Sequence, residues 1–199
     1  MTGHFEYDLP FRGEEFSYLP LEVAWQERPV CPPTQHLPQP TAPYFEGKLH
    51  DKKKEWEATS EYKMLQTLVA SNPEFSRARK IFGIALGSMR ATTEINRQNS
   101  TAQYCLLQSM GELIAKAAQS NEICCFAQDP DLSPPVIEAL SNIGIQTIDD
   151  PQAFLDLDDT SVVITSAPNI PVMQIVTDLA RPVAIMWHPP SENDKNILT

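Results

Sequence analysis

Five short runs rich in apolar residues, the first of them continuously apolar, alternate with amphipathic segments from residue 80 onward, and this alternation restricts the fold more than any other feature. A run that is apolar at successive positions is typical of a strand buried on both faces of a parallel sheet. The segments between the runs repeat apolar residues at helical spacing, as crossover helices do. The runs occupy residues 81–86, 123–127, 145–148, 161–165 and 183–187.

Strands that alternate with helices predict βαβ units, and right-handed crossovers then place helices on both faces of the sheet. The fold class that follows is α/β: a Rossmann-like, doubly wound, mostly parallel five-stranded sheet, preceded by an irregular N-terminal arm. We expect the strand order 3-2-1-4-5, with the winding direction changing between strands 1 and 4. Ligands in such sheets bind beyond the carboxyl ends of the strands at that switch point.

Proline separates an arm from a domain. Residues 1–50 hold 8 of the 18 prolines and many aromatic residues, which indicates an irregular arm partly docked by its rings or a floppy tail. The stretch that ends at Pro43 is typical of an extended, polyproline-like linker. Residues 51–70 have the apolar spacing of one helix. We therefore assign 1–50 to the arm, 51–188 to the α/β domain and 189–199 to a polar tail.

The net charge of −11 restricts the classes of partner. Residues 80–199 carry 14 acidic and 6 basic side chains, so nucleic acid and anionic membrane surfaces would be repelled. No apolar run approaches the ~20 residues of a membrane span, and the first residues lack the pattern of a secretory signal. The four cysteines have no spacing suited to zinc or to a redox motif. We expect a reduced cytoplasmic and/or nuclear protein without a metal site.

The loop after strand 1 is the first part of the candidate ligand site. Gly87 lets the backbone approach a ligand closely, and Ser88 offers a hydroxyl and an amide. Arg90 and Arg97 are two of the six basic residues in 80–199, and both lie in or beside this loop. The loop therefore favours an anion, although a tight turn with solvated arginines accounts for the same residues. The following helix is expected to begin at Asn99 or Ser100.

The second part of the site lies after strands 2 and 4. Asp129 stands where Rossmann enzymes place an acid on ribose hydroxyls, or it is a turn residue before proline. Ser166 and Asn169 either face the ligand or cap the next helix. The acids between residues 149 and 159 are typical of solvated charges rather than of a metal site. No catalytic triad is identifiable, so the sequence assigns no catalytic residue and leaves open whether the chain is an enzyme.

Short motifs spread over residues 52–187 carry a family resemblance. They are WEA at 56–58, IALGSM at 84–89, STAQY at 100–104, AQDP at 127–130, GIQTIDDP at 144–151, AFL at 153–155, DTSVV at 159–163, APNIPV at 167–172 and DLARP at 178–182. With these motifs, in this order and spacing, the chain resembles the fungal branch of the Sensitivity to Red Light Reduced (SRR-like) domain family.

The resemblance implies a Rossmann-like α/β domain and a role in regulation, with no settled reaction. Plant members are linked to light and clock signalling, animal members to control of haem biosynthesis and to clock effects, and the yeast member to microtubule behaviour. Plant and animal members carry a Met-Pro-His-Cys type stretch after the fourth strand. Here residues 165–169 contain neither His nor Cys, so a haem or metal function is not carried over.

Two classes of function follow from the sequence. The first is a regulatory protein that works through a protein partner, with catalysis absent or cryptic. The second is an enzyme or sensor that binds a nucleotide-like cofactor, such as S-adenosylmethionine, at the switch point. The residues assigned to that ligand are Gly87, Ser88, Arg90, Asp129, Ser166 and Asn169.

Overall fold

Helices and strands alternate along the chain in a computed structural model that describes residues 40–119, 123–166 and 170–187. The strands are β1 (Lys80–Ile84), β2 (Cys124–Gln128), β3 (Ile145–Thr147), β4 (Ser161–Thr165) and β5 (Ala184–Trp187). The helices are α1 (Ala42–Glu57), α2 (Ser60–Ser71), α3 (Glu94–Ala118), α4 (Pro134–Asn142), α5 (Gln152–Leu155) and α6 (Val172–Leu179). A short 3-10 helix, Pro73–Arg77, joins α2 to β1.

The strands form one sheet in the order β3-β2-β1-β4-β5, and every neighbouring pair is parallel. The α/β fold class and the strand order that the sequence predicts are therefore confirmed. β1 lies at the centre, where Phe82 is paired with Phe126 of β2 and with Val163 of β4. The winding direction changes between β1 and β4, so the switch point lies beside the loop that follows β1.

Successive side chains of the central strands enter two apolar cores, one on each face of the sheet. Ile81 and Val162 belong to the core formed with α1 to α4. Phe82, Ile84 and Val163 belong to the core formed with α5 and α6. The expectation of helices on both faces is confirmed, and the burial of β1 and β4 on both sides explains their continuously apolar sequence.

Helix α1 corrects the prediction that irregular chain continues to residue 50. It begins at Ala42, because Pro43 occupies its first turn, where a proline is compatible with the helix and removes no hydrogen bond. Phe45 and Leu49 lie one turn apart on its inner face, and each is only 2% exposed. The residues from 42 to 50 are therefore part of the folded domain, and the polyproline-like interpretation of Pro43 is wrong.

The single helix predicted over 51–70 is two helices. The Thr59 hydroxyl donates to the Trp56 carbonyl at 2.6 Å, and the same oxygen accepts the Tyr62 backbone N–H at 3.1 Å. Thr59 thus ends one helix and caps the next, which apolar periodicity alone does not reveal. Helix α3 also begins earlier than predicted, because Thr93 rather than Asn99 caps it and accepts the Asn96 N–H at 3.2 Å.

Three predictions concern residues outside those that the structure describes. They are the arm as far as residue 39, the polar tail 189–199 and the position of Asn169. Across the described ranges, no helix has the length and apolar character needed to cross a membrane.

Asp158 ties the loop before β4 to the start of β1. Its carboxylate accepts hydrogen bonds from Lys80 Nζ at 2.7 Å, from the Thr160 N–H at 2.9 Å and from the Ser161 hydroxyl at 2.9 Å. Partial burial raises the pKa of Asp158, but the bonds from Lys80, Thr160 and Ser161 outweigh it and hold that pKa well below its ordinary value.

Asp158→Asn is expected to lower the free energy of unfolding at pH 7 by about 1 kcal/mol, because water screens a carboxylate that is 42% exposed. Since the folded pKa is lowered, the stabilisation is complete above the unfolded pKa of about 3.9 and is lost as pH falls towards the folded value. Urea unfolding should therefore show the wild-type advantage narrowing below about pH 4. Asp159→Asn, whose side chain is 70% exposed, is the matched control. An advantage of unchanged size at pH 2 would contradict the assignment.

Candidate functional site

A cleft of about 720 Å³ opens at the carboxyl edge of the sheet, beside the switch point between β1 and β4. The loop after β1 and the start of α3 form one wall, and the loops after β2, β3 and β4 contribute the rest. The described lining residues are Ile84, Ala85, Leu86, Gly87, Ser88, Ala91, Asn96, Asn99, Ser100, Gln103, Gln128, Asp129, Pro130, Asp131, Asp150, Ser166 and Ile170.

Gly87 is the fixed point of the loop after β1. Its N–H donates to Asp129 Oδ2 at 2.7 Å, and its carbonyl accepts the Tyr104 hydroxyl at 3.0 Å. Its φ of +80° is one that side chains with a Cβ rarely adopt, and an added Cβ would lie 2.6 Å from Ser100 Oγ. The position therefore requires glycine for two independent reasons, backbone conformation and space.

Tyr104 supports the loop from inside the domain, where its side chain is 0% exposed. Burial raises the pKa of this tyrosine far above its ordinary value, and the negative charges of Asp129 and Asp131 raise it further. The hydroxyl therefore stays protonated and donates to Gly87 at every physiological pH. The sequence placed Tyr104 in the STAQY motif at 100–104 but gave it no role in the site, since it lies in the middle of α3.

Ser88 joins two loops of the cleft wall rather than offering a free hydroxyl. Its Oγ donates to the Asp131 carbonyl at 3.3 Å and accepts the Arg90 backbone N–H at 3.2 Å. The residue is 8% exposed. Asp129 completes the connection, because its Oδ1 accepts the Asp131 N–H at 3.0 Å. Two side-chain bonds thus join the loops after β1 and β2, one from the Gly87 N–H to Asp129 and one from the Ser88 hydroxyl to the Asp131 carbonyl.

Gln128 connects the floor of the cleft to the loop after β3. It is 4% exposed; its Nε2 donates to Asp150 Oδ1 at 2.8 Å, and its Oε1 accepts the Ala153 N–H at 2.7 Å. Gln128 was not among the predicted site residues, although it ends the strand that Asp129 follows. A polar side chain at the carboxyl end of a buried strand is the sequence signal that could have identified Gln128 as a site residue.

The two arginines beside the loop after β1 are not among the described residues that line the cleft. Arg97 donates to the Ala91 carbonyl at 2.8 Å through Nη1 and to the Glu94 carboxylate at 2.7 Å through Nη2. Arg90 is exposed, and neither arginine lines the cleft. The early start of α3 directs Arg97 to its own first turn and away from the cleft, whereas a contribution of Arg90 to an anion site stays a prediction.

The charges that do line the cleft are negative. Asp129, Asp131 and Asp150 all contribute to its wall, and no lysine or arginine does so among the described lining residues. No three His, Cys, Asp or Glu side chains of the described ranges are grouped so that they could bind a metal ion. The cleft is thus an acidic, open site lined by amide, hydroxyl and carboxylate oxygens and by apolar side chains.

A second cavity, of about 370 Å³, lies between α1 and the start of α3. Four of its charged side chains form ion pairs: Lys52 pairs with Glu55 at 2.9 Å, and Arg97 pairs with Glu94 at 2.7 Å. Because paired exposed charges select for no particular ligand charge, the cleft at the carboxyl edge is the stronger candidate site.

The structure brings four of the six sequence-selected residues to this cleft. Gly87, Ser88, Asp129 and Ser166 line it, and Arg90 does not. Asn169 lies outside the described residues. Ser166 does not cap α6, because that helix begins at Val172 with Pro171 as its N-terminal flanking residue. Which of these residues contact a ligand stays a prediction.

Residues 50–188 match the family model of the SRR1 domain, and this span is more than half of the chain. The chain belongs to the SRR1 domain family. The matched part of this SRR1 domain contains all five strands and every described residue that lines the cleft. No curated protein matches the chain, and no solved structure matches it.

Proposed function

We propose that this SRR1 domain binds a small nucleoside-type ligand, of which S-adenosylmethionine is an example, in the cleft at the carboxyl edge of its sheet. The cleft itself is the observation that carries the proposal. Its volume of about 720 Å³ is within the range of small-molecule sites. It lies at the switch point of a doubly wound sheet, where ligands of such sheets bind. An enzyme and a sensor both need this binding step, so the proposal includes either.

Asp129 is the residue we assign to the ribose hydroxyls. An ionised carboxylate has about four acceptor positions, and the N–H groups of Gly87 and Asp131 use two of them. The remaining positions suit the two hydroxyls of a ribose. Ser88 holds the loop in place, and Ser166 and Asn169 are proposed contacts from the β4 side. Arg90 is not assigned a contact with the ligand in this proposal.

Ala91→Trp is the variant that tests the site, because Ala91 lines the cleft and the new ring would fill it. For the wild-type chain, adenosine or S-adenosylmethionine at 100 times its Kd should add ~2.7 kcal/mol of stability and raise Tm by roughly 5–10 °C. Ala91→Trp should lose this rise, as measured by differential scanning fluorimetry. The matched control is Thr92→Trp, at the next position, which is exposed and does not line the cleft.

The same assay separates the two classes of function. If no nucleoside or nucleotide shifts the Tm of the wild-type chain, the ligand proposal fails and regulation through a protein partner becomes the better explanation. If Thr92→Trp loses the rise as completely as Ala91→Trp, the ligand binds elsewhere. A rise in the wild type that only Ala91→Trp abolishes supports the cleft.

The regulatory role and the protein partner form the alternative proposal, and the fungal branch and the cytoplasmic or nuclear location are proposed for the chain under either. The motif resemblance supports the first three. The thiols of Cys105, Cys124 and Cys125, which are not in disulfide bonds, support a reducing compartment. Burial raises the pKa of both Cys105 and Cys125 to about 12, so these two thiols stay protonated and unreactive.

A further inference from the structure

We infer that the cleft selects a ligand without phosphate groups that is neutral or positively charged, and so excludes di- and triphosphate nucleotides. The inference rests on the proposed nucleoside site and adds the charge class of its ligand. Three separate features of the cleft support it.

The first feature is the charge of the wall. Asp129, Asp131 and Asp150 surround the cleft, with no basic side chain among its described lining residues. A polyphosphate placed there would meet like charges on the loops after β2 and β3, and such contacts oppose binding. A sulfonium or ammonium group would instead be attracted.

The second feature is the backbone of the loop after β1. Phosphate-binding loops of α/β sheets present free N–H groups, followed directly by the N-terminus of a helix. Here the Gly87 N–H already donates to Asp129, at 2.7 Å. Helix α3 begins only at Glu94, whose carboxylate lies in the first turn, and Thr93 caps that turn. Neither the amide nor the helix terminus is therefore presented to an anion.

The third feature is the direction of Arg97. Its Nε and Nη2 donate to Glu94 at 3.0 and 2.7 Å, and its Nη1 donates to the carbonyls of Ala91 and Thr92 at 2.8 and 3.3 Å. All three guanidinium nitrogens are engaged within one turn of chain. The arginine contributes to the second cavity between α1 and α3 and not to the cleft.

Isothermal titration calorimetry on the full chain tests the inference. Adenosine, S-adenosylmethionine, ATP and NAD are titrated separately at low ionic strength without magnesium. We expect ATP and NAD to bind at least about tenfold more weakly than adenosine, since like charges meet in the cleft. Added salt should reduce the difference in affinity between adenosine and the two phosphate-containing compounds, because it screens exposed charges.

Asp150→Asn should bind ATP roughly two- to fivefold more tightly and S-adenosylmethionine more weakly than the wild type, as expected for one exposed charge. The asparagine oxygen can still accept the Gln128 bond, so the loop is retained. Asp149→Asn makes the same change of charge at an exposed neighbour that does not line the cleft, and should leave both affinities unchanged.

Each outcome has one consequence. Weak binding of ATP together with the Asp150→Asn response supports the inference. Binding of ATP or NAD as tight as that of adenosine overturns it and leaves the proposed nucleoside site standing. Failure of all four compounds to bind overturns the proposed site and the inference together. Equal responses of Asp150→Asn and Asp149→Asn also overturn it, because the charge would then act from outside the cleft.

Discussion

Replacing Phe45 with alanine is expected to lower the free energy of unfolding by about 3–5 kcal/mol, the usual cost of truncating a buried phenylalanine. Phe45 lies on the inner face of α1 and is 2% exposed. Helix α1 packs against both α3 and α4, and Phe45 belongs to the core that these helices form on one face of the sheet. Removing its ring would leave a cavity between helices that cannot close without moving α1.

Tyr44→Ala is the matched control, since Tyr44 is the neighbouring aromatic residue but is 51% exposed. Its ring makes an edge contact with Phe45 and lies 5.6 Å from Lys48 Nζ, so its removal should cost only about 1 kcal/mol. Urea unfolding at pH 7 measures both variants. If Phe45→Ala and Tyr44→Ala lowered the free energy of unfolding by the same small amount, α1 would not be part of the core, and residues up to 50 would form an arm as the sequence predicts.

The sequence was misleading at α1 for a specific physical reason. Proline before residue 44 indicates extended chain, but proline is equally suited to the first turn of a helix, where no N–H is needed. Only the burial of Phe45 and Leu49 against α3 and α4 decides between the two, and that burial is a tertiary contact. A deletion meant to remove the arm should therefore end at residue 39 or before, and leave α1 intact.

The sheet, by contrast, could be predicted from local sequence. The central strands β1 and β4 are buried on both faces, so their sequences are apolar at successive positions and lack the periodicity of an amphipathic helix. Crossover handedness and the number of strands then favour the order that the structure has. The starts of α2 and α3 were less predictable. Thr59 and Thr93 each cap a helix by accepting one backbone N–H, and the apolar spacing of the neighbouring residues does not indicate that bond.

The candidate site was also predictable only in part from the sequence. Gly87 and Asp129 could be selected because both follow strands whose carboxyl ends meet at the switch point. That the Gly87 N–H and the Asp129 carboxylate bond to each other could not be foreseen, since the two residues are 42 positions apart. This bond occupies the N–H of a residue that the sequence predicted to lie against an anion. The charge preference of the site therefore depends on folded geometry rather than on composition.

Gly87→Ala is expected to lower the free energy of unfolding by about 2–3 kcal/mol, and to weaken ligand binding at the cleft. The φ of +80° imposes one part of that cost. The approach of the new Cβ to Ser100 Oγ, at 2.6 Å, imposes the other, because Ser100 is only 5% exposed. The loop cannot move away freely, since Asp129 and Tyr104 hold Gly87 from two sides.

Gly144→Ala separates the conformational from the steric contribution to the free-energy cost of Gly87→Ala. Gly144 has a φ of +85° but nothing within 4 Å of an added Cβ, so this variant should lose only about 1–2 kcal/mol, from backbone conformation alone. Adding Ser100→Ala to Gly87→Ala removes the oxygen and leaves the nearest contact of the added Cβ at 3.7 Å. The double variant should then return to the level of Gly144→Ala, with a coupling energy of about 1 kcal/mol in the double-mutant cycle.

Ligand affinity makes the comparison specific to the site, because Gly87 lines the cleft and Gly144 does not. Gly87→Ala should weaken adenosine binding, whereas Gly144→Ala should leave it unchanged, whatever each variant costs in stability. If Gly87→Ala were no more destabilising than Gly144→Ala, Ser100 would have room to turn aside. The wall of the cleft would then be loose, and its charges would no longer be held where selection against phosphate requires them.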